Sequence, residues 1–70
     1  MATFKNLSDT IISAKIGEGR KSYSLVYNTE HTIVTVTKSL FVEGTITTNK
    51  MTKQEFVDNA EQLLNSFLAR

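Results

Sequence analysis

Hydrophobic and polar residues change rhythm once along the chain. Between Thr10 and Thr48 the apolar positions recur at a spacing near two, and after Thr52 they recur at a spacing near 3.6. The first rhythm is that of half-buried strands and the second that of a helix with one apolar side. In Thr10–Ile16, Ile12, Ala14 and Ile16 alternate onto one face while Ile11, Ser13 and Lys15 fall on the other. Gly17-Glu18-Gly19-Arg20-Lys21 then interrupts the pattern with two glycines, the residues that hairpin turns with positive φ favour. Ser22–Asn28 predicts a second strand with Tyr23, Leu25 and Tyr27 on one face. After the turn signal Asn28-Thr29-Glu30, His31–Lys38 predicts a third strand and Leu40–Thr48 a fourth. Glu43-Gly44 breaks the fourth, as either a tight turn or a bulge. Residues 1–9 fit either a short strand at Thr3–Lys5 or an irregular lead-in.

The helix is expected over about residues 52–69. Thr52-Lys53-Gln54-Glu55 has the form of a capping box, in which the Thr hydroxyl accepts an orphan backbone N–H and the Glu reaches back. Met51 and Phe56 occupy the positions of a hydrophobic staple. Phe56, Val57, Ala60, Leu63, Leu64, Phe67 and Leu68 follow as one stripe at a 3.6-residue period. A helix apolar on one side has to lie on something, and the sheet is the available surface. The expected fold is α+β: a single domain over 1–70, with an antiparallel meander of about four strands within 10–48 packed by one C-terminal amphipathic helix.

One helix covers one face of a sheet. The alternation is imperfect: Ile11 opposes Ile12, Val26 opposes Leu25 and Ile33 opposes Val34, so a few large aliphatics remain on whichever face the helix leaves open. Seventy residues also bury only about 60% of their unfolded surface, so sharing a core between two copies would add stability. The third strand has high β-propensity and no charge before Lys38. On a sheet edge it would invite pairing with another chain and build a structural subunit; in the middle it would already be paired.

Composition removes whole classes of function. There is no Cys, no Pro and no Trp, and a single His. Disulfide scaffolds, Cys-ligated zinc, iron–sulfur clusters and thiol nucleophiles therefore fall away. Eight Lys/Arg against seven Asp/Glu give a net charge of +1, with six positives and four negatives in residues 1–50. That balance allows a mildly basic sheet but is far from a basic stripe. Residues 1–20 hold no apolar leader, and no run approaches the 18–20 apolar residues of a membrane span. A cytoplasmic protein without a membrane partner is expected.

The polar candidates each have a plain reading. His31 reads as a solvated turn residue, having no partner in sequence that would make it a base. Glu55, Asp58 and Glu61 read as the wet side of the helix, well placed near its positive N-terminal half. Lys50, Thr52 and Lys53 surround the same end, where the capping box uses part of the anion-attracting capacity. Gly17–Lys21 offers backbone N–H groups and two cations to a phosphate, but lacks the rest of a phosphate-loop pattern. No enzyme, cofactor, metal or small-molecule substrate is expected. The leading expectation is a small binding protein that works through protein–protein contacts, as a homodimer or as an inhibitor or accessory subunit of a larger complex. Its contact surface is expected at Ile11, Val26, Ile33 and Thr35. The alternative is single-stranded DNA or RNA binding, with Tyr23 and Tyr27 stacking on bases and Lys15, Arg20, Lys21 and Lys38 meeting the backbone.

Overall fold

A computed structural model describes residues 2–69 of the chain. Five strands precede one helix: β1 (Ala2–Asn6), β2 (Ile11–Ile16), β3 (Tyr23–Asn28), β4 (Ile33–Lys38), β5 (Phe41–Thr47) and α1 (Lys53–Leu68). A single 3₁₀ turn at Gly19–Lys21 lies within the β2–β3 connection. The sheet is an antiparallel meander in the order β1-β2-β3-β4-β5. The α+β class, the meander and the closing helix are as expected; the strand count is five rather than about four. The extra strand is β1, which pairs with β2 from Ala2↔Ile16 to Asn6↔Ile12. Too few apolar residues stand in that segment to show alternation, and pairing with β2 is what makes it a strand.

The helix begins where the sequence places it. Thr52 is the N-cap, its hydroxyl accepting from the Glu55 N–H at 3.1 Å while the Glu55 carboxylate accepts from the Thr52 N–H at 3.3 Å. Phe56, Ala60 and Leu64 are buried against Ile12, Ala14, Leu25, Tyr27, Val34, Val36 and Ile46 of the sheet. The centre of this core is aromatic. Tyr27 and Phe56 stack with ring centroids 5.4 Å apart, and Phe4 meets Phe56 edge-on at 6.4 Å. Such pairs add about 0.5–1.5 kcal/mol to the burial itself. The Tyr27 hydroxyl donates to the Met51 carbonyl, so the ring is buried with its polar atom satisfied.

Glu43-Gly44 is a bulge. Val36 pairs with Gly44 while Thr37 pairs with Val42, which leaves Glu43 as the extra residue. The reversal between β4 and β5 is made instead by Ser39 and Leu40, with Ser39 at φ +59°. The bulge sets two faces. Gly44 and Ile46 fall on the helix side, and the missing side chain of Gly44 admits the Phe67 ring of the last helical turn. Val42 moves to the opposite side with Thr37.

β4 is a central strand, paired with β3 and β5. The reading of residues 31–37 as an assembling edge is thereby overturned: that backbone is already hydrogen-bonded on both sides. The edges are β1 and β5.

Candidate functional site

The helix covers one side of the sheet, lying mainly over β1, β2 and β3. Among the described residues, no helix or further strand packs on the other side. Its paired positions form three rows across the strands. The row nearest the Ser39-Leu40 turn runs Thr3, Lys15, Ser24, Thr37, Val42. The middle row runs Lys5, Ser13, Val26, Thr35, Thr45. The third holds Ile11, Asn28, Ile33 and Thr47. Strand propensity explains the abundance of Thr, since a β-branched polar side chain suits a pleated surface that stays wet.

All four residues expected at a contact surface lie on this face. Val26 and Thr35 are direct cross-strand partners, and Ile11 and Ile33 flank Asn28 in one row. Ile33 is 37% exposed, and Ile11, Val26 and Thr35 are half-buried by their neighbours alone. Val26 stands on the third strand of five in the second row of three, at the geometric centre. The paired positions carry two lysines, no carboxylate and no aromatic ring.

The structure does not assemble the expected nucleic-acid residues. Tyr27 is 0% exposed beneath Phe56 and has no free ring face for a base. Tyr23 is half-buried on the helix side, with the Lys38 ammonium 5.5 Å from its ring centroid in a cation–π contact. Lys15 projects from the opposite side of the sheet to both tyrosines. Arg20 and Lys21 are exposed on the 3₁₀ turn. An open depression of about 310 Å³ lies beside it, lined by Thr3, Lys15, Gly17, Glu18 and Gly19. The face that holds Tyr23, Leu25 and Tyr27 is the core, because Leu25 between them draws all three under the helix.

Leu40, Phe41 and Val42, at the tip of the β4–β5 hairpin, are 93%, 74% and 68% exposed. Three consecutive exposed apolar residues are uncommon unless they serve an interaction. The run is visible in the sequence, but only the bulge tells which of the three joins the uncovered face: Val42.

His31 is exposed in the β3–β4 turn. Among the described residues, no group of three or more His, Asp or Glu side chains is placed to hold a metal ion. No helix there is long and apolar enough to cross a membrane. Asp58 accepts from the Gln54 amide and Glu55 belongs to the cap, so two of the three helix carboxylates have structural partners. Comparison with known families, curated proteins and solved structures returned no match, and function has to be read from the residues themselves.

Proposed function

We propose that the chain is a small non-enzymatic binding protein that acts through protein–protein contacts on its uncovered sheet face, as a homodimer. One observation carries this reading: the face left bare by the helix has β-branched side chains at nine of its fourteen paired positions and a carboxylate at none of them, with Val26 at its centre and Ile11, Ile33 and Val42 around it. Charged residues are depleted at the centres of protein interfaces, and the centre of this face is Val26 beside Thr35. Base stacking asks for aromatic rings, which this face lacks.

Strands about 4.8 Å apart and rows about 6.7 Å apart outline roughly 450 Å² per copy. Two such faces bury about 900 Å² together, below the roughly 1,000 Å² that a stable specific interface clears, so a weak, reversible dimer is expected.

Sedimentation velocity across a concentration series tests the reading. The wild type should shift from monomer to dimer with rising concentration. Val26→Asp should remain monomeric with an unchanged circular dichroism spectrum, because it places a carboxylate at the centre of the contact. A wild type that is monomeric throughout, or a Val26→Asp variant that dimerises as before, defeats the proposal.

A further inference from the structure

The end of the molecule that holds the β4–β5 turn differs from the rest of its surface. Ile16, Tyr23, Lys38 and Phe41 are successive cross-strand partners over β2, β3, β4 and β5, so the connection at 17–22 and the Ser39-Leu40 turn leave the sheet at one end. Strand spacing sets the two about 10 Å apart. The helix starts at the opposite end, where the Lys53 ammonium donates to Asn6 and to the Ser8 carbonyl, and it finishes here, with Phe67 against Gly44. Six large apolar residues are exposed among those described, and four of them, Leu40, Phe41, Val42 and Leu68, lie at this end. Cations gather there too. Lys15, Arg20, Lys21 and Lys38 stand against Glu18 and Glu43, while the other described residues carry three cations against five carboxylates. The Lys38 ammonium is held at this end by the Tyr23 ring.

Folding does not account for this tip. Hairpin turns are ordinarily made of Gly, Asn, Asp, Ser and Pro. Ser39 supplies the positive φ, +59°, so the reversal needs no leucine beside it. At 93% exposed, Leu40 adds nothing to the core, and Phe41 at 74% adds little. The tip also projects outward, whereas small-molecule sites are concave and enclose their ligands. We propose that this end docks on an anionic membrane surface, with Leu40 and Phe41 entering the boundary between headgroups and acyl chains and Arg20, Lys21 and Lys38 meeting the anionic headgroups. The proposal goes beyond the homodimer reading and does not depend on it.

Charge and shape together select this partner. With one end positive and the remainder negative, an anionic surface turns the molecule tip first. Cations spread beside the tip suit a surface whose charge is also spread, and surface binding grows with buried apolar area and with anionic lipid. The run is one ring between two aliphatics. Bases stack on rings and gain little from Leu40 or Val42, whereas lipid accepts all three. The absence of an apolar leader and of a spanning helix, on which the expectation of no membrane partner rests, does not bear on a tip that enters only about 5–10 Å. Lys38 and Phe41 are paired across the hairpin, so the backbone flanking the turn arrives with a partner of its own.

Cosedimentation of the full chain with vesicles tests this, using phosphatidylcholine alone or with about 30% phosphatidylserine. The wild type should bind the anionic vesicles, release as salt rises and bind the neutral ones far less. Leu40→Ser with Phe41→Ser should bring binding down to the level of the neutral vesicles, with an unchanged thermal melt because both positions are exposed. Arg20→Gln with Lys21→Gln should weaken binding by about 25-fold, near fivefold for each cation removed. The chain has no tryptophan, so Phe41→Trp reports without background, and its emission should shift to the blue on anionic vesicles. Phe41→Leu should retain vesicle binding, since lipid asks for no ring. A wild type that ignores anionic vesicles overturns the proposal, as does a Leu40→Ser, Phe41→Ser variant that binds like the wild type. Binding to a labelled single-stranded oligonucleotide instead of vesicles, lost in Phe41→Leu, also overturns it and gives this end to nucleic acid.

Discussion

Tyr27 ties the sheet to the start of the helix. Its ring fills the core under Phe56, and its hydroxyl bonds the carbonyl of Met51, the residue before the cap. Phenylalanine at this position keeps the stacking and leaves a half-buried carbonyl without its donor. Such a loss costs about 1 kcal/mol. Tyr27→Phe should therefore lower the melting temperature by about 4–8 °C for a domain of this size, while leaving the far-ultraviolet spectrum unchanged. The sequence showed Tyr23, Leu25 and Tyr27 on one strand face. It did not show which side the helix would take, and that depends on Ile12, Ala14, Val34 and Val36 presenting apolar surface on the same side. An aromatic residue near basic neighbours looks the same in sequence whether it is a platform or a core member.

At the scale of elements, the helix was legible almost to the residue, because its cap and its apolar stripe are local signals. The interruption within β5 was not, because a bulge is settled by its partner. Glu43-Gly44 could have reversed the chain; pairing with Val36 and Thr37 keeps it in the sheet. The same bulge places Gly44 beneath the end of the helix, where a Cβ would come within 2.9 Å of the Phe67 ring. Gly44→Ala should destabilise the fold by about 1–3 kcal/mol, the usual cost of overpacking, as measured by urea denaturation. Phe67→Leu in the same chain removes the ring edge and should recover part of the loss, a non-additivity expected of residues in contact. Additive losses would mean that the glycine serves the bulge alone. β1 stayed open between a short strand and an irregular lead-in for a related reason: a five-residue edge strand with Phe4 as its one large apolar side chain takes its identity from β2.

The whole molecule is a two-layer domain with one layer boundary exposed. Its core is small, ten buried residues among those described, and a second copy laid on the bare face would enlarge it. Stability should then depend on how much protein is present: the melting temperature of the wild type should rise with concentration, and that of Val26→Asp should not. A flat response in the wild type would count against self-association under those conditions. The uncovered face was partly legible, since Ile11, Val26, Ile33 and Thr35 could be assigned to it from alternation. Its rows were not, because they depend on register between strands that the sequence does not state. The hairpin tip has a consequence of its own: with Leu40 and Phe41 93% and 74% exposed, any link between two copies would present two such tips, and a partner held by one would meet the other at raised effective concentration without any change in the contact made by either.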